Sequence, residues 1–201
     1  MSTTPAVSPA NPATPVELAD QLTRAARNLL AHATERELNG KRELPTPCAE
    51  FDVHRLCEHL LGTMVASTHA AAKRPLPVDA PRTLTDAPWR AYPPVVDRLV
   101  AGWSKPEAWE GDTSFDSHVC SARFAGMMTV MELTVHGWDL AQATGQAFKA
   151  EDDVVATAAT VAEQIGSGAR RSGAFGAELA PAADATALER LLAFTGRSSR
   201  R

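Results

Sequence analysis

An all-α fold is predicted by three features of the chain. Apolar residues recur every three or four positions in several long stretches, capping residues and glycines bracket those stretches, and neither an alternating strand pattern nor an internal repeat appears. At 201 residues, with 44% hydrophobic and 22% charged side chains, the chain is long enough for one well-buried core.

Residues 1–13 contain Pro, Ser, Thr and Ala with hardly any large apolar side chain, which reads as a disordered leader. Thr14-Pro15-Val16-Glu17 combines a cap, a first-turn proline and a Glu that reaches back, so a first helix is expected to run to about Leu38 and end at Asn39-Gly40. Pro45 and Pro47 keep the segment Leu44–Phe51 out of a helix. Asp52 then caps a second helix to about Ala72, with Val53, Leu56, Leu60 and Met64 at helical spacing. After a Pro-rich stretch over 73–88, Trp89 to Trp103 reads as a third helix that Pro93-Pro94 kinks or interrupts at its start. A polar loop over 104–118 leads to a fourth helix, about Val119 to Ala143, stopped by Gly145. A fifth is expected over about 152–165 behind Glu151-Asp152-Asp153, followed by a Gly/Ala/Arg-rich connection to Ala182. Asp184 is the expected cap of a short last helix carrying Leu188, Leu191, Leu192 and Phe194, which Gly196 ends. Residues 14–197 therefore read as one domain, and 198–201 as a flexible tail.

The net charge of −4 provides no basic field for phosphates, so nucleic acid is excluded as a partner, and no run reaches the roughly 18 apolar residues of a membrane span. Met1 to Pro15 lacks the charged start and apolar centre of a secretory signal. Cys48, Cys57 and Cys120 form no CxxC pair, and an odd, widely spaced set fits a reducing, cytoplasmic setting.

Glu132, His136 and Asp139 stand at i, i+4 and i+7, one stripe of the fourth helix. Imidazole and carboxylate on adjacent turns can supply two donors to a divalent metal, and His59, on the second helix, is the best candidate for a third. Such a trio leaves a coordination position open, and Asp139 can orient the site by accepting a hydrogen bond from His136 or act as a further ligand. Spacing alone leaves the alternatives standing: Glu132 and His136 as a helical ion pair, and His59 as a hydrogen-bonded core residue. At about 100° per residue His59 falls on a flank of its helix's apolar face. His32, His54, His69 and His118 read as surface residues, Arg170-Arg171 as solvated loop charges, and Cys48 and Cys57 as small packing residues.

Thr46-Pro47-Cys48-Ala49-Glu50-Phe51-Asp52-Val53, with Leu56 and His59-Leu60-Leu61-Gly62, resembles the opening signature of DinB-like metalloproteins related to the N-terminal domain of mycothiol-dependent maleylpyruvate isomerase. Glu132 to Ala141, through to Gly145, resembles the second signature of that family, and Leu191-Leu192-Ala193-Phe194-Thr195-Gly196-Arg197 is similar to the ending of its single-domain branch. Phe51 stands where the family usually has Trp. The resemblance implies a DinB-like four-helix bundle with additional short C-terminal helices. It further implies a divalent metal, zinc foremost with nickel or iron also accepted, on His59, Glu132 and His136. The isomerase resembled carries a further domain that contributes to its active site, so maleylpyruvate isomerisation is not implied.

The expectation that follows is a metal-dependent enzyme that holds mycothiol, or a related low-molecular-weight thiol, for attack on an electrophilic small molecule, with Asp139 orienting the site. A non-catalytic metal-binding or stress-response protein and a metal-free helical interaction module are the competing classes. A helical bundle of this kind can also form a homodimer.

Overall fold

Helix α5 (Ala122–Thr144) is buried on almost every side, and the other elements are laid around it. A helix that is apolar all round belongs in a core, and Gly126, Gly137 and the alanines let its neighbours come close. The computed structural model describes residues 13–77, 86–115 and 118–199. Around α5 pack α1 (Pro15–His32), α3 (Val53–Ala71) and α6 (Asp152–Ser172), while α4 (Tyr92–Trp103) lies on α3 and α1, and α7 (Ala187–Phe194) on α6. One apolar core joins α1, α3, α4 and α5 through residues such as Leu22, Leu29, Leu56, Leu60, Leu99 and Leu133. A second, smaller core lies between α5, α6 and α7, around Val135, Val161, Ala162 and Leu191. Among the described residues no helix is long and apolar enough to cross a membrane.

The mostly helical class agrees with expectation, but several boundaries differ. The first helix stops at His32 because Thr34 accepts a hydrogen bond from the Glu37 amide and so caps a separate short helix, α2 (Glu35–Leu38). His32 itself is buried rather than on the surface, one ring nitrogen 2.8 Å from Asn28 O and the other 3.0 Å from Ala147 O. The third helix begins as a 3-10 turn, Pro88–Ala91, and Pro93-Pro94 then occupy the first turn of α4, where missing amide donors cost nothing.

The expected loop over 104–118 and the start of the fourth helix instead hold a hairpin, β1 (Asp112–Phe115) against β2 (His118–Ser121), antiparallel with Thr113 opposite Cys120. Four-residue strands are too short to display a period of two, and Ser121 is the cap of α5. Helix α6 runs on to Ser172, beyond the expected stop, because Gly166 takes the Phe194 ring into its missing side chain: a Cβ there would meet Phe194 Cζ at 2.8 Å. Arg170 is accordingly no solvated loop charge; its guanidinium lies 4.6 Å over the Phe194 ring and donates to Phe194 O. Thr186, not Asp184, caps α7, in a reciprocal pair with Glu189. The expected leader, apart from Ala13, and the end of the expected tail lie outside the described residues, as does 78–85 of the Pro-rich stretch.

Candidate functional site

Two rigid helices and one turn converge on a polar point. Helix α3 starts at Asp52, whose side chain accepts from the Arg55 amide, and it carries His59 two turns in. Helix α5 lies along α3 and presents Glu132 and His136 from successive turns. The turn Thr46–Phe51 is tied by hydrogen bonds from the Thr46 amide to Phe51 O and from the Phe51 amide to Cys48 O, and the Thr46 hydroxyl donates to Phe51 O at 2.7 Å. That turn lays the Phe51 ring flat over His59, centroids 5.1 Å apart at 25°, so the aromatic position of the turn is a wall of the site.

His59 Nε2 lies 2.9 Å from Glu132 Oε2, and His136 Nε2 lies 3.5 Å from the same oxygen. The His59 and His136 rings meet edge to face, centroids 5.0 Å apart. The flank position of His59 is therefore the side from which α5 approaches. One ligating atom from each of the three residues lies within 4.8 Å of the other two. Donors that share one ion at about 2.0–2.2 Å stand roughly 3–3.5 Å from each other, so the donor set fits a divalent cation in chemistry and in spacing. The side-chain exposures, 34% for His59, 18% for Glu132 and 11% for His136, show that water reaches the cluster from the His59 side. Burial works to raise the Glu132 carboxyl, but the His59 bond and the charges of His136, His59 and Arg197 outweigh it and hold the group below the usual carboxylate range.

Behind His136 the chemistry changes. Its Nδ1 lies 2.9 Å from Asp139 Oδ2, and Asp139, fully buried, receives Arg197 through Nε at 2.8 Å to Oδ1 and Nη2 at 2.8 Å to Oδ2. Cys48 completes a second cluster of donor atoms with His136 and Asp139, again within 4.8 Å. That cluster is the poorer cation site, because a guanidinium already neutralises its carboxylate. Burial also pushes the Cys48 thiol up, away from the thiolate a metal requires.

The four residues singled out from the sequence, His59, Glu132, His136 and Asp139, thus come together. Reasoning from the sequence missed Arg197 and the placement of Cys48. Neither lies on a helical stripe with its partners, and the signal that marked both was their place in the segments that resemble the family signatures, Thr46-Pro47-Cys48 and Thr195-Gly196-Arg197. Cys57, by contrast, is packed in the core with its thiol pushed up to about 12 by burial. His54 lies 3.7 Å from Glu58, His69 is half-buried near the end of α3, and His118 is exposed at the start of β2, none of them among the clustered donors. Compared with protein-family models, curated proteins and solved structures, the chain matches none, so the reading of this site rests on its own geometry.

Proposed function

We propose that this chain is a DinB-like four-helix-bundle protein that binds a divalent metal on His59, Glu132 and His136. We assign it enzymatic work as a metal-dependent transferase acting with a low-molecular-weight thiol, of the mycothiol type, on an electrophilic small molecule. The observation that carries this reading is the approach of two imidazoles and one carboxylate, from two helices, to ligand spacing around one point open to solvent on one side. The packing of α1, α3, α4 and α5 about one core supports the bundle layout that the reading needs.

A divalent cation held there would lower the proton affinity of a thiol at its remaining position. The residues set what that position prefers. Glu132 contributes one negative charge and the two imidazoles none, while Asp139 and Arg197 cancel, so with a divalent cation the cluster keeps one net positive charge and favours an anion. Thiolate meets that demand, and sulfur donors suit zinc; nickel and iron also accept this donor set. Phe51, stacked on His59, shields one face from water and offers an apolar surface to the organic part of the substrate.

Elemental analysis of untagged protein should find about one zinc, or another divalent metal, per chain, and His136→Ala should lose it. Full retention in that variant would overturn the assignment. Conjugation of mycothiol to a haloaromatic acceptor should rise in proportion to bound metal. Metal without turnover would instead leave the non-catalytic reading, a metal-binding or stress-response protein with a structural or sensory site.

A further inference from the structure

The last described turn of the chain reaches back to the site through a backbone crossing that only glycine permits. Gly196 follows α7 with φ +84°, and a Cβ on it would stand 2.6 Å from Gly176 Cα and 3.0 Å from Ala177 O. With two glycines in contact, the chain turns inward and buries Arg197 to 4% exposure. Its guanidinium takes both Asp139 oxygens, Nε at 2.8 and 3.0 Å and Nη2 at 2.8 Å, and its other nitrogen donates to Thr195 O at 3.2 Å. This fork leaves the plane of the Asp139 carboxylate no freedom to rotate.

From this geometry we infer that Arg197 is a positioning residue for the metal centre, acting through Asp139 on His136. A carboxylate held in this orientation keeps Oδ2 on the Nδ1 side of His136, at 2.9 Å. In the neutral ring this favours the proton on Nδ1 and leaves Nε2, which faces Glu132 and His59, as the nitrogen able to donate to a metal. Without the guanidinium, Asp139 would be a buried carboxylate with one partner, free to turn away, and His136 would lose its fixed tautomer. A merely structural ion pair would need no such alignment. The same argument explains why Arg197, 58 residues beyond Asp139 and just past α7, belongs to the site.

The inference rests on reading the cluster as a metal centre, but its first test does not. Nitrogen-15 spectra of the metal-free, histidine-labelled protein, recorded at a pH high enough to keep the imidazoles neutral, should show His136 as a single Nδ1–H tautomer, with Arg197→Met mixing the two tautomers and Arg197→Lys largely restoring the first. Zinc affinity should fall about 10- to 100-fold in Arg197→Met and recover part of that loss in Arg197→Lys. Because Arg197→Met leaves a buried charge unpaired, the double variant Asp139→Asn with Arg197→Met provides a folded control that should still mix tautomers and bind zinc weakly. A wild-type tautomer and wild-type zinc affinity in the folded double variant would overturn the inference. If the wild-type protein bound no zinc while the tautomer still responded to position 197, the metal reading would fail and the positioning role would stand.

Discussion

At one end of the seam between α3 and α5, Ser67 and Thr129 share a hydrogen bond of 2.6 Å, and the Trp103 indole closes on Ser67 at 2.9 Å. About two turns along α3, His59 meets Glu132 at 2.9 Å with His136 beside them. Both clusters are polar groups set between the same two helices. The first is neutral and sealed: Thr129 also donates to Ala125 O, and Trp109 donates to Trp103 O, so its groups are satisfied without water. The second holds a desolvated carboxylate facing two imidazoles, with a solvent opening and acceptor capacity left over. A protein that needed only to lock α3 to α5 could repeat the first arrangement. The second costs more in desolvation and sets three donors at the spacing a metal ion needs.

The sealed end should break hardest. A Cβ on Gly126 would meet Trp109 Cζ3 at 2.3 Å and Trp103 Cζ3 at 3.0 Å, and both indoles are buried and hydrogen-bonded. Gly126→Ala is expected to cost about 3 kcal/mol, read as an earlier urea midpoint, by forcing rings out of their rotamers. An unchanged midpoint would mean that the tryptophans yield freely and that this end is not the rigid one.

A matched pair of variants separates the two clusters next. Thr129→Val leaves Ser67 short of a partner and should destabilise by about 1–2 kcal/mol while zinc affinity stays within about twofold. Glu132→Gln should do the reverse: metal-free stability lower by no more than about 1 kcal/mol, because the favourable partners of the carboxylate only just outweigh its burial, and zinc affinity down by roughly 100-fold or more. Equal stability losses in the two variants with no change in zinc binding would erase the distinction drawn between them.

Much of this was legible in the sequence where one helix carries the whole signal. Glu132, His136 and Asp139 declare themselves by spacing, and Asp52 announces the start of α3. His59 could be chosen as a partner from its residue type and its place in the resembled signature but not from helical spacing, since which flank of α3 faces α5 is settled by packing. What escaped was non-local or too short for a period. The β1–β2 hairpin has four residues on each strand, the continuation of α6 past Gly166 depends on Phe194 filling the gap, and the bond from Arg197 to Asp139 depends on two glycines crossing. Thr34 ended α1 by a capping bond that the uninterrupted apolar pattern did not betray.

The smallest expected effect lies in the acid limb of stability. Burial works to raise the Asp139 carboxyl, but the bonds from His136 and Arg197 outweigh it and hold the group below its ordinary value, as the His59 bond does for Glu132. Unfolded Asp and Glu titrate near 3.9 and 4.3, so below about pH 5 the unfolded chain takes up protons that the native one refuses. The stabilisation from these carboxylates is therefore complete above that pH and is lost as the pH falls through their lower native values. Glu35, held at about 2 by Arg90 and the Trp89 indole, adds a background with the same sign. Urea midpoints taken from pH 6 to pH 3 should thus decline in the wild type and in Thr129→Val alike, because the sealed cluster contains nothing that titrates. They should decline less steeply in the double variant Asp139→Asn with Arg197→Met, which lacks the deepest ionised pair. A double variant as acid-sensitive as the wild type would show that the charged end of the seam contributes no more to acid stability than the neutral one.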